Sequence, residues 1–365
     1  MAQQYLSIDT PAILIDAAVM RRNIARMATL AREVQLEHWP HTKTHKIPEI
    51  AKWQVAAGSP GICVAKIGEA EVMAEAGLAP IFIANHIVGE KKVERLANLA
   101  HEVELSVCVD SVAAADALSA EFARRGTRLP VLMEIDTGLH RCGVAAEAAR
   151  ALAEKLLSLP GIELVGIMTY AGFAPGGSAK DDLRRAVEQE TEAMSQVADE
   201  LRAVGADIRR ISGGSTPRAR FYAAGCGLTE IRPGTYVYND VNCIDLGAAT
   251  AADCALTVLA TVISTPGPNR ATLDAGSKAL TNDPAKISPG HGRIVECPGA
   301  AIPRLDEEHA YVDLSEAEQK LSVGDKVRII PNHVCPVSNL HDRAYVIEGE
   351  KLADVLTIAA RGRLQ

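Results

Sequence analysis

The chain lacks the marks of several broad protein classes. None of its eight cysteines stands in a CxxC pair. They are scattered, mostly inside apolar runs such as GICVAK and ELSVCVD. In a chain of 365 residues that is 48% apolar, such dispersal reads as reduced thiols serving as small core residues, not as a disulfide framework. No apolar run approaches the roughly 18 residues needed to cross a bilayer. The opening stretch MAQQYLSIDTPAILID shows no basic segment followed by an apolar one, so no secretory signal is expected. Positive charge is not in excess: 38 basic against 46 acidic residues leave a net charge of −8. That argues against nucleic acid or an anionic membrane as a partner. Internal repeats and low-complexity linkers are absent too. These absences point to a cytoplasmic chain, either two domains or one large barrel with an addition.

What is present alternates. From residue 17 to 245, segments with apolar residues three or four apart, such as AAVMRRNIARMATLAREV and SVAAADALSAEFARRG, read as helices. Between them lie eight short apolar runs: LEHWPHT, GICVA, IFIAN, ELSVCVD, LPVLMEID, LVGIMTY, DIRRISGG and LTEIRPG. Eight strands alternating with helices predict a parallel (β/α)8 barrel. From 246 to 365 the texture changes to short Val-, Ile- and Thr-rich runs separated by Gly, Pro and Asp. That predicts a mainly antiparallel β domain, which the N-terminal run TPAILID, within residues 1–16, is expected to join. The charges of DDLRRAVEQETE read as a solvated helix face.

A parallel barrel places its chemistry at the carboxyl ends of the strands. Lys43 follows the first strand in PHTKTHK, Arg141 follows the fifth in IDTGLHRCG, and Tyr170 closes the sixth. SGGSTP, with Gly214, Ser215 and Thr216, ends the seventh, and RPGTY, with Arg232, Gly234 and Thr235, ends the eighth. Glycine-rich turns after strands seven and eight are the usual phosphate position of this architecture. A phosphate there, a lysine at strand one and an aromatic ring at strand six together suggest pyridoxal phosphate, with the lysine as covalent anchor.

At this point the chain resembles the fold-type III pyridoxal phosphate enzymes, and among them the D-serine dehydratase and D-threonine aldolase family, whose barrel is similar to that of alanine racemases. The likeness runs through PHTKTHK, VAKIGEAE, IDTGLHRCG, SGGSTP, RPGTYVYND, LDAGSKAL and PNHVCPVSNLHD. It implies that Lys43 is the anchor, with Lys46 a support or surface residue. It further implies that Arg141 contacts the phenolic oxygen of the cofactor, that Tyr170 lies beside its ring, and that Thr216, Gly234 and Thr235 hold its phosphate. In alanine racemases an arginine at the position of Arg232 faces the pyridine nitrogen, and the dehydratase branch does not always keep it.

His333 and Cys335 stand two apart in PNHVC, on what reads as a strand or its end. Imidazole plus thiolate suits Zn²⁺, with Mn²⁺ an alternative. In the dehydratase branch such a pair holds a catalytic zinc; the aldolase branch has aspartate where this chain has Cys335. His45, His341, Asp342 and Asp274 are outer candidates, each with an ordinary structural reading beside it. The histidine that aldolases carry six residues after the tyrosine is Gly176 here, and the second tyrosine of dehydratases, one position later, is Gly177. The resemblance therefore implies a cytoplasmic, homodimeric lyase dependent on pyridoxal phosphate and a divalent metal, acting on β-hydroxy-D-amino acids. Dehydration to an oxo acid and ammonia is favoured, with retro-aldol cleavage to glycine and an aldehyde as the alternative. An amino-acid racemase lacks its second base here, and a non-enzymatic cofactor-handling protein would not need the C-terminal domain.

Overall fold

The computed structural model describes residues 4–172 and 180–365. The chain divides into two compact units. One comprises Met27–Lys43, Pro48–Gly234 and Arg363–Gln365; the other takes the residues up to Arg26, Thr44–Ile47 and Thr235–Gly362.

The N-terminal strand β1 is Ala12–Asp16. The barrel strands follow: β2 Glu37–His38, β3 Ile62–Val64, β4 Ile81–His86, β5 Leu105–Val109, β6 Leu129–Glu134, β7 Ile162–Met168, β8 Arg210–Gly213 and β9 Glu230–Ile231. All eight sequence-expected runs are strands of one parallel sheet, in the order β2-β9-β8-β7-β6-β5-β4-β3. The two ends of that order meet at a parallel bridge between His41 and Cys63, where the Cys63 amide donates to Pro40 O at 2.9 Å. Strands buried on both faces need apolar residues throughout, and LSVCV of β5 is buried at every position. Inside, Trp39, Phe82, Leu132, Val165 and Met168 pack with Cys63 and Cys108. Each large side chain contributes about 1.5–3 kcal/mol by leaving water. The outer helices bury one stripe; Glu90–Glu102 covers Val93, Leu96 and Ala97 and turns its charges outward.

The other unit is built on a mostly antiparallel sheet: β10 Leu256–Gly267, β11 Arg270–Leu273, β12 Arg293–Ile294, β13 Ala301–Leu305, β14 Ala310–Asp313, β15 Lys326–Ile330, β16 Arg343–Glu348 and β17 Lys351–Thr357. As expected for TPAILID, β1 joins this sheet, antiparallel to β10 and parallel to β16. Among the described residues no helix is long and apolar enough to cross a membrane.

Candidate active site

Two residues from separate barrel loops converge on one aromatic ring. Lys43 lies in the 3-10 turn Thr42–Thr44 beyond β2, and the buried Thr42 hydroxyl pins that turn by donating to Cys63 O at 3.2 Å. The Lys43 Nζ is 5.7 Å from the centroid of Tyr170, and the Arg141 guanidinium is 5.4 Å from the same centroid. The loop carrying Arg141 is shaped by Asp136, whose Oδ1 accepts from the amides of Gly138 at 2.9 Å and His140 at 3.1 Å. Burial would raise that carboxyl, but these amides and the His140 ring hold it below the usual carboxylate range. A 2.7 Å hydrogen bond between the hydroxyls of Thr137 and Thr169 ties the loops after β6 and β7 together, beside Tyr170.

Two glycine turns leave the barrel side by side, because β8 and β9 pair in register at Gly213 and Ile231. Gly214 has φ +80°, and a Cβ there would come within 2.9 Å of Ile231 Cγ2, so only glycine fits. Its amide donates to Glu190 Oε1 at 3.0 Å. Glu190 also pairs with Arg218, and both are buried. The solvated-face reading of the 181–192 stretch is therefore corrected at Glu190: it is an internal anchor for the SGGSTP turn. No α-helix follows that turn. Ser215 O accepts from Arg218 and Ala219, and a 3-10 turn, Ala219–Phe221, comes next. Any anion here would rely on local N–H and hydroxyl groups of Ser215 and Thr216 and not on a helix dipole. Gly234 is half-buried and precedes the turn Thr235–Val237. Arg232 is buried, donates to Ser212 Oγ and to Thr169 O at 2.6 Å, and lies 5.6 Å from the Phe82 centroid.

In the other unit His333 and Cys335 are not on a strand, as the sequence had suggested. Strand β15 ends at Ile330; His333 caps the helix Val334–Leu340 and Cys335 lies in its first turn. The pair still meets, through a hydrogen bond between imidazole and thiol. His333 Nδ1 faces Asp283 Oδ2 at 3.1 Å, and Cys335 Sγ is 3.4 Å from the Thr44 hydroxyl. The buried carboxylate of Asp240 accepts from the amides of Val334 at 3.2 Å and Cys243 at 2.9 Å, which fixes the backbone between the two candidate ligands. Burial opposes the imidazolium, but the contacts with Cys335 and Asp283 and the charges of Cys335 and Asp240 lift His333 to about 9.

The outer candidates sort differently. His341 Nε2 lies 3.1 Å from Ala279 O, and Asp342 pairs with Arg361, so neither meets His333. Asp274 accepts from the Thr261 amide at 2.7 Å and from the Thr10 hydroxyl, a structural role in the sheet. His45 is buried and its Nδ1 accepts from the Ile47 amide at 3.1 Å. Lys46 is buried rather than superficial; its Nζ donates to Asn339 Oδ1 at 2.9 Å. Gly176 and Gly177 lie outside the described residues. Sequence reasoning missed Asp283, Thr44 and Asp240. It also missed a cluster at the barrel mouth, where His86 Nε2 lies 3.3 Å from Glu134 Oε2 and 3.4 Å from Asp110 Oδ2. The available signal was a lone charged or imidazole group ending an apolar strand.

Residues 15–241 match the family described as alanine racemase, N-terminal domain, and residues 255–347 match the putative serine dehydratase domain. The chain belongs to the fold-type III pyridoxal phosphate family. Among curated relatives, the family member is 34% identical to a D-threonine aldolase of Arthrobacter sp, over 97% of this chain and 93% of that one. It is also 34% identical to the D-threo-3-hydroxyaspartate dehydratase of Delftia sp. (strain HT23), over 92% of this chain and 93% of the relative. A solved cysteine-to-alanine variant of a D-threo-3-hydroxyaspartate dehydratase, in the metal-free form, superposes with a TM-score of 0.91 at 32% identity, covering 97% of this chain and 98% of that one. The relatives of this family member thus include both dehydratases and aldolases acting on β-hydroxy-D-amino acids.

Proposed function

We propose that this protein is a pyridoxal phosphate- and divalent metal-dependent lyase that dehydrates β-hydroxy-D-amino acids of the D-serine or D-threo-3-hydroxyaspartate type to an oxo acid and ammonia. The observation that carries the reading is the approach of Lys43 and Arg141 to one ring, that of Tyr170. The residues fit the cofactor: an amine for covalent anchorage, a flat ring, a guanidinium, and a glycine turn where a Cβ would intrude. They fit a metal as well, since His333 and Cys335 offer a nitrogen and a sulfur already in mutual contact.

When bound, pyridoxal phosphate supplies an electron sink and the divalent ion supplies Lewis acidity for the departure of hydroxide, a poor leaving group. Lys43 would anchor the cofactor and is the group placed to move a proton at the substrate α-carbon. Arg141 would balance negative charge on the bound cofactor, and Tyr170 would offer it an apolar ring. Ser215, Thr216, Gly234 and Thr235 hold the phosphate, with Gly214 allowing close backbone approach. Arg232, its donors committed to Ser212 and Thr169, fixes the floor of this rim. Asp283 takes the Nδ1 side of His333, which leaves Nε2 for the metal. The metal is Zn²⁺ in this reading, with Mn²⁺ as the replacement to test, and the working form is a homodimer.

Cys335 supports dehydration, because the resemblance implies that the aldolase branch typically carries an aspartate at this position. The likeness to the Arthrobacter aldolase keeps carbon–carbon cleavage as the second reading. Incubation of the reconstituted enzyme with D-serine, D-threonine and D-threo-3-hydroxyaspartate separates them. Oxo acid with stoichiometric ammonia supports the proposal; glycine with an aldehyde replaces it by the aldolase.

A further inference from the structure

We propose that Asp110, just beyond β5, is a positioning residue for Arg141: its carboxylate holds the returning limb of the loop that carries the guanidinium. The inference rests on the reading of Arg141 as a cofactor contact. The loop leaves β6 at Glu134 and closes on itself at its base, where Ile135 and Val144 form a parallel bridge. There the Asp136 amide donates to Val144 O at 2.9 Å, and the Val144 amide donates to Glu134 O at 2.9 Å. The outgoing limb is held from within by the Asp136 carboxylate, which accepts from the amides of Gly138 and His140. Arg141, Cys142 and Gly143 make up the returning limb. Gly143 has φ +96°, and a Cβ there would come within 2.7 Å of Asp136 N and 2.9 Å of Ile135 C, so this limb turns tightly against its own base. At that turn the Gly143 amide donates outside the loop, to Asp110 Oδ2 at 3.1 Å. A carboxylate acceptor makes such a bond stronger than one to a neutral oxygen.

Asp110 is itself held. It directly follows Leu105–Val109, a strand buried at every position, which fixes its backbone. The oxygen that receives Gly143 also lies 3.4 Å from His86 Nε2, and that nitrogen is 3.3 Å from Oε2 of the buried Glu134. These are ordinary ion pairs when the imidazole carries a proton, and they restrain rotation of the Asp110 side chain. Arginine has many rotamers to lose, so the reach of its guanidinium is set first by where its backbone stands. Fixing Gly143 fixes that backbone two residues from Arg141, whose guanidinium is 5.4 Å from the Tyr170 centroid. The plain alternative is that Asp110 only ties off a strand end. The two readings differ in whether its effect passes through Arg141.

The test is a double-mutant cycle on cofactor affinity, which needs no turnover. Holoenzyme is stripped with hydroxylamine and titrated with pyridoxal phosphate under visible absorbance, for the parent, Asp110→Ala, Arg141→Ala and the double variant. The expected result is an apparent Kd about 10-fold or more above the parent for each single variant, with no further rise in the double beyond Arg141→Ala. Asp110→Asn, which keeps an acceptor oxygen and loses the charge, should recover most of the affinity. Single effects that multiply in the double variant, Asp110→Ala binding as tightly as the parent, or Asp110→Asn binding as weakly as Asp110→Ala each overturn the inference and leave the cofactor reading of Arg141 intact. Parental affinity in Arg141→Ala removes that reading, and the inference falls with it. A parent that takes up no pyridoxal phosphate removes the proposed function and the inference together. If Asp110→Ala does not fold, Asp110→Ser takes its place, its hydroxyl being one bond too short for Gly143. Amide exchange confined to residues 136–143 should then quicken, and unchanged exchange there also overturns the inference.

Discussion

The two compact units assemble their candidate ligands in opposite ways. The barrel unit gathers Lys43, Arg141, Tyr170 and the Gly214 turn from loops spread over some 170 residues. The other unit places His333 and Cys335 within three consecutive residues at one helix start. A site of the first kind depends on topology: each residue is ordinary in its own segment and gains meaning from the sheet order. A site of the second kind depends on local geometry and on what orients it, here Asp283, Thr44 and Asp240. The first should therefore fail chemically when one side chain is removed, and the second should fail in graded steps as its supports are withdrawn.

The largest expected effect is on the barrel side. Lys43→Ala should lower kcat by about 10⁴-fold or more, since both the anchor and the proton-transfer group are lost. Visible absorbance should show loss of the lysine-bound cofactor, while circular dichroism stays unchanged. On the other side, chelation or Cys335→Ala should lower turnover by about 10³-fold, the scale of losing an electrophilic contact to a leaving group. The cofactor spectrum should survive that treatment; its loss would erase the proposed division of labour. Glu190→Ala should cost about 3–5 kcal/mol of stability, because the buried Arg218 is left uncompensated. Denaturant midpoints measure that cost, and weakened cofactor retention should accompany it through the freed Gly214 amide. Smallest is Asp283→Asn, which should weaken zinc binding by about 10–100-fold in a chelator competition and leave the fold intact. No change there would mean that the His333 ring is oriented by something else.

Much of the barrel was legible in sequence, because Val- and Ile-rich runs bounded by Gly and Pro admit few other readings. All eight parallel strands overlap the runs marked for them, although β4 runs one residue past IFIAN and β7 begins two residues before LVGIMTY. The elements that escaped have physical reasons. β13, AIPRL, exposes both Pro303 and Arg304 and buries Ile302 fully, so no alternation shows. The helix Pro48–Ala56 begins on a proline, a good first helical residue that reads as a breaker when it follows a polar motif. At the sites, Lys43, Arg141 and Tyr170 could be placed together because each ends or follows a strand. Glu134 and His86 end strands too, but as single polar residues in apolar runs they resembled ordinary strand ends. Asp283 and Thr44 were beyond reach, since their contacts with His333 and Cys335 span 50 and 291 residues of chain. His341 and Asp342 were favoured by proximity in sequence alone, and tertiary partners took both.

The most direct measurement is chemical. Borohydride reduction of the cofactor-loaded enzyme, followed by proteolysis and peptide mapping, should find one pyridoxyl label, on the ε-nitrogen of Lys43 in the peptide containing PHTKTHK. A label on Lys46 or on any other residue, or no label at all, would contradict the account.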